Sequence, residues 1–89
     1  MKLFSVSITI DGLGELTQSI EDRLYEGGCG DALLSMRDGL LTLDFERKAS
    51  SLGEAVIGCL ADYSNSRTGG EIVALNAYKP LRQQPAAAD

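Results

Sequence analysis

The chain has 89 residues, of which 44% are hydrophobic and 24% charged, with a formal net charge of −5 and no histidine. A domain of this length buries only roughly 60–65% of its unfolded surface, so it holds one core and most apolar residues must serve it. The acidic balance argues against nonspecific nucleic-acid binding, which basic groups drive by displacing counterions, and the missing histidine removes Ser-His-Asp and Cys-His catalysis.

From Leu3 to Ile10 the sequence alternates, with Phe4, Val6, Ile8 and Ile10 on one side and Ser5, Ser7 and Thr9 on the other. Period two with β-branched residues predicts a half-buried strand. Asp11-Gly12-Leu13-Gly14 turns the chain, and Leu13, Leu16, Ile20 and Leu24 then recur at the spacing of an amphipathic helix. Gly27-Gly28 is expected to stop that helix, because glycine readily takes the conformation needed past a helix end.

Asp38-Gly39 is a two-residue hairpin signal that suits a type I′ turn. With those two residues as the loop, Met36 faces Leu41, Leu34 faces Leu43 and Ala32 faces Phe45, an apolar side throughout. The other side pairs Arg37 with Leu40, Ser35 with Thr42 and Leu33 with Asp44, so turn chemistry and hydrophobic pattern specify one register. Ser51-Leu52-Gly53-Glu54 fits a capping box, followed by a stripe of Leu52, Val56, Cys59, Leu60 and Tyr63. This second helix should end before Thr68-Gly69-Gly70, and Gly58 inside it weakens it by about 1 kcal/mol unless close packing compensates. Glu71 to Tyr78 reads as a last strand whose facing is ambiguous. Pro80 ends it, and 80–89 reads as a frayed tail beyond a domain spanning 1–79.

The order strand, helix, hairpin, helix, strand requires both helices to cover the apolar side of one sheet. Right-handed crossovers then give an α+β fold, a ferredoxin-like βαββαβ two-layer sandwich with an antiparallel four-stranded sheet and two helices on one face. Its other face would show Ser5, Ser7, Thr9, Ser35, Arg37, Thr42 and Asp44, with Leu33 and Leu40 near one edge. With almost no aromatic residue, that face is a poor platform for stacking bases.

Chemistry-bearing motifs are sparse. Cys29 and Cys59 lie thirty residues apart, form no CxxC motif and read as reduced, partly buried thiols. Without histidine a metal site is not expected, and two thiols cannot hold an iron–sulfur cluster. Gly12-Leu13-Gly14 lacks the third glycine of a dinucleotide loop, and Gly27-Gly28-Cys29-Gly30 follows a helix where a phosphate loop would precede one. Asp44 and Glu46 share a strand face, but beside Arg47 and Lys48 they read as a solvated ion-pair cluster at a sheet edge rather than an acid–base pair. Acylphosphatases share the predicted fold, and their glycine-rich loop carrying an arginine has no counterpart here. No catalytic, cofactor-binding or metal-ligating residue is assigned, no cofactor is implied, and the chain reads as a non-enzyme. Neither a signal segment nor a membrane span appears, so the expected setting is cytoplasmic.

Leu24 to Ala32, Arg37-Asp38-Gly39 and Leu43 to Val56 together resemble a group of small bacterial proteins whose N-terminal domain precedes a helix-turn-helix DNA-binding segment. The likeness covers about Val6 to Leu75 and is most specific in Cys29 to Ala32 and Leu43 to Glu54. It implies a regulatory or antitoxin-like context. After Tyr78 the sequence departs from the group, with a short proline- and alanine-containing tail and no helix-turn-helix, and Gly30 stands where the group tends to be acidic. The shared motifs are structural, so no functional residue carries over. The expected function is a non-catalytic protein–protein interaction module whose partner is another protein or a second copy of itself, with neither nucleic acid nor membrane contacted directly. Two alternatives stand beside it. One is an anti-CRISPR-like inhibitor from a phage or mobile element, with acidic material in Asp11, Glu15, Glu21, Asp22, Glu26 and Asp31. The other is a small-ligand sensor.

Overall fold

A computed structural model describes residues 1–79. Its elements run β1 (Lys2–Asp11), α1 (Gln18–Leu24), a π-helical turn (Tyr25–Cys29), β2 (Leu33–Arg37), β3 (Leu40–Ala49), α2 (Leu52–Ser66) and β4 (Glu71–Tyr78). The expected tail, 80–89, lies outside the described residues.

The hairpin forms as its turn chemistry requires. Asp38 and Gly39 have φ of 54° and 79°, the left-handed pair that a type I′ turn needs. The register pairs Met36 with Leu41, Leu34 with Leu43, Ser35 with Thr42, Arg37 with Leu40 and Leu33 with Asp44. Pairing stops at Leu33, so Ala32 does not join Phe45 in the ladder, although it packs against the core.

The fold is α+β, with four antiparallel strands in the order β2-β3-β1-β4 and two helices. Central strand β1 pairs Val6 with Phe45 and Ile8 with Leu43 on one flank, and Val6 with Ala77 and Ile8 with Leu75 on the other. Opposed residues share a face, so the inner side of the sheet carries Phe4, Val6, Ile8, Ile10, Leu41, Leu43 and Phe45, all buried. Leu24, Cys29, Ala55, Cys59 and Tyr63 from the helical layer close that core. Together these contacts place the helical layer over one face of the sheet.

The ambiguous facing of β4 is resolved by its pairing. Ile72, Leu75 and Ala77 lie opposite Ile10, Ile8 and Val6 and so face inward, while Ala74, Asn76 and Tyr78 face outward with Thr9, Ser7 and Ser5. A register shift between Thr9 and Ile10 inserts Val73 as an extra residue.

Both helices depart from their expected outlines. Gly14 has φ of 80° and turns the chain, the Glu15 amide donating to the Leu13 carbonyl at 2.9 Å, so α1 starts only at Gln18, where the Thr17 hydroxyl accepts from the Ile20 amide at 3.2 Å. Leu13 and Leu16 pack against the core from the loop instead. The α-helix ends at Leu24, and the π turn after it breaks at Gly28, whose φ of 111° is not helical, so glycine interrupts the helix where it was expected to. In α2 the capping box is displaced on one side. Ser51 Oγ accepts from the Glu54 amide at 3.1 Å, whereas Glu54 reaches back to the amide of Ser50 rather than that of Ser51, at 3.1 Å. Ala55 and Ser66 join Cys59 and Tyr63 on its buried row, while Leu52 is exposed. Arg67 ends the helix in the left-handed conformation at φ 55°, and the Tyr63 hydroxyl donates to the Gly69 carbonyl, tying the helix end to the turn before β4.

Candidate functional site

Two features stand apart from ordinary core packing: a clamp centred on Arg47, and the open margin of the sheet at β4.

Alternation along β3 places Arg47 on the inner face after Leu43 and Phe45, at the end of the apolar row. Its guanidinium lies 4.8 Å from the Phe45 ring centroid. Four hydrogen bonds use four of its N–H groups. Nε and Nη2 donate to the two carboxylate oxygens of Asp31, each at 3.0 Å, Nη2 also donates to the Gly28 carbonyl at 2.9 Å, and Nη1 donates to Asp62 at 2.5 Å. A bidentate fork on a carboxylate is the strong geometry for such a pair. The hydrogen bond from Arg47 holds the Asp31 carboxyl below its usual range, and Asp31 in turn pushes the guanidinium further toward its charged form. One side chain thus joins β3, the π turn, the loop before β2 and α2. With four of its five N–H groups engaged internally, it acts as a clamp between these segments.

The π turn lies close against α2, and glycine makes that approach feasible. A Cβ on Gly27 would fall 2.5 Å from the Ser66 backbone, and one on Gly28 would fall 2.9 Å from the Asp62 carboxylate. The glycine-rich stretch Gly27-Gly28-Cys29-Gly30 is therefore a packing device. Cys29 within this stretch and Cys59 on α2 are free and buried, more deeply than the partly buried thiols expected. Burial, then the Asp62 carboxylate, raises the Cys29 thiol to about 11, and burial raises Cys59 as well.

Of the expected cluster of Asp44, Glu46, Arg47 and Lys48, Arg47 departs, and its strand β3 is central rather than at a sheet edge. Alternation sends Arg47 to the inner face, while Asp44 and Glu46 stay on the outer one opposite Ser7 and Ser5. Asp44 accepts from the Ser7 hydroxyl. These groups rim an open-sided hollow of about 320 Å³ on the outer face, shared with Asp31, Leu33 and Tyr78. A second hollow, of about 270 Å³, lies between α1 and β2. Among the described residues no group of three or more His, Cys, Asp or Glu could hold a metal ion, and no helix is long and apolar enough to cross a membrane.

At β4 the cover of the sheet runs out. Ile72, Val73, Leu75 and Tyr78 are 42%, 49%, 39% and 55% exposed, although the first three lie on the strand where a core would use them. Sequence reasoning recognised this strand but found no special status for it. The available signal was its run of apolar residues without an inner or outer alternation.

No family model, no curated protein and no solved structure matches this chain.

Proposed function

We propose that the chain is a ferredoxin-like, non-catalytic interaction module that presents the β4 margin of its sheet to another protein. The ferredoxin-like reading is supported by the order β-α-β-β-α-β, in which two split β-α-β units leave β1 and β3 central, with β2 and β4 as the outer strands. The bacterial regulatory or antitoxin-like setting follows from the sequence resemblance, and a cytoplasmic location goes with it.

The observation that carries the interaction reading is the exposure of Ile72, Val73 and Leu75 on an outer strand eight residues long. Outer strands template further pairing, and soluble proteins commonly blunt them with charge, proline or short length. Between Ile72 and Tyr78 the strand has no charged residue and no proline. Main-chain addition at such an edge is a general mode of peptide and protein recognition.

The test is affinity capture with the full chain, run beside Val73→Lys and combined with light scattering. The expected result is a stoichiometric complex, with itself or with another protein, that Val73→Lys abolishes. A chain that stays monomeric and retains nothing stoichiometric, or a complex that Val73→Lys leaves intact, overturns the reading.

A further inference from the structure

We infer that the occupant of this margin is a second copy of the chain, with β4 pairing antiparallel to β4 across a two-fold axis centred on Leu75. The inference rests on the interaction-module reading and names its partner.

Symmetry narrows the register. A two-fold axis perpendicular to the sheet keeps inner residues inner, and directly opposed residues of an antiparallel pair share a face. Inward Leu75 can therefore lie opposite Leu75 of the second copy but not opposite outward Ala74. Centred there, Ala74 faces Asn76 on the outer side, and Val73 faces Ala77 on the inner side. The bulge places Ile72 and Val73 together against Ala77, which brings Glu71 opposite Tyr78 and one residue from Lys79. Each end of the paired strands thus sets a carboxylate beside a phenol and an ammonium. In a chain of net charge −5, the stretch Glu71 to Lys79 is neutral, with its single acid and single base at opposite ends. That arrangement complements itself only in the antiparallel sense.

Helix α2 extends the same surface. Its Gly58 and Asp62 flank faces Arg47 and the π turn, and its Ala55, Cys59 and Tyr63 row is buried. The opposite flank, which helical geometry turns toward β4, carries Leu52, Val56 and Leu60, with Leu52 exposed and the other two half-buried. Pairing of β4 keeps both helical layers on one side of a continuous eight-stranded sheet, so these flanks approach each other above the new strand pair.

Light scattering of the full chain is expected to give twice the chain mass, and Leu75→Lys to give the monomer, because each introduced ammonium lies opposite its own copy. Leu75 is 39% exposed, so the variant should keep the wild-type circular dichroism, and Val73→Lys serves as the second probe should it not. Leu75→Cys should oxidise to a covalent dimer, since opposed Cα atoms lie about 4.5–5.5 Å apart, within disulfide reach. Asn76→Cys should not, because its own copy lies about 8 Å away along the strand. A monomeric wild type, a dimer unaffected by both lysine variants, or equal cross-linking through Asn76→Cys overturns the inference. A monomer that still captures a different protein through β4 overturns the second copy alone and leaves the module reading standing. A monomer that captures nothing removes both.

Discussion

Arg47 reaches partners 15, 16 and 19 residues away, and no pattern of spacing in the chain announces them. What it holds is only partly shielded, with side-chain exposure of 20% for Arg47, 29% for Asp62 and 47% for Asp31, so solvent screening weakens the Asp31 arm. Arg47→Met is expected to cost about 1–2 kcal/mol in urea unfolding, chiefly by stranding Asp62 and the Gly28 carbonyl. The pH dependence has a definite sign. The folded Asp31 carboxyl titrates below its unfolded value, so its contribution is complete above about pH 4 and is lost as pH falls through the lower folded value. Glu54, held down by the Ser50 amide and hydroxyl, acts in the same sense. Urea midpoints measured from neutrality down to acid should therefore fall less steeply for Asp31→Asn than for the wild type. For Cys29, a rise from 9.0 to about 11 removes roughly 100-fold of the reactive thiolate on its own. Aromatic-disulfide labelling should be slower in native buffer than in urea, and equal rates would contradict the buried environment.

Two glycines beside helix α2 and within it, one crowded and one not, should respond oppositely to alanine. At Gly27 the new methyl meets Ser66 backbone at 2.5 Å, and the π turn and α2 must separate to admit it. Gly27→Ala is expected to destabilise by about 1–3 kcal/mol, the range for forced overpacking. Gly58 was expected to find compensation in close packing, but its added Cβ would meet only Arg47 Nη1, at 3.9 Å. Gly58→Ala should instead stabilise α2 by up to about 1 kcal/mol, raising the melting temperature by roughly 4–8 °C in a domain of this size. Thermal melts of the two variants side by side check both signs. The elements written in local code were the readable ones. Asp38-Gly39 with its flanking alternation specified the hairpin and its pairs, and Ser51 to Glu54 marked the start of α2. Helix α1 was misread because Leu13 and Leu16 keep helical spacing while Gly14 and the Thr17 cap hold that stretch in a loop. Gly27-Gly28 marked the break after α1, but its close approach to α2 was not legible, because α2 lies far along the chain.

Across the sheet the cover is uneven. On the β2 side, Leu34 and Met36 are half-buried and pack against the core, whereas at β4 the helical layer ends above Ile72 and Leu75, which stay 42% and 39% exposed. If a second copy completes that side, association and folding are linked, and the melting temperature of the wild type should rise with protein concentration. For Leu75→Lys it should not change. Differential scanning fluorimetry over a dilution series distinguishes the two, and a concentration-independent wild type counts against dimerisation.

Local rules were enough to place all four strands, the start of α2 and the inner face of the sheet, because alternation, turn residues and caps act between near neighbours. The facing of β4, the clamp on Arg47 and the close approach of Gly27 to Ser66 were settled by tertiary contact alone. Each depends on which distant segment arrives alongside, and a bulge, a guanidinium fork or a missing Cβ carries no periodic signal along the chain.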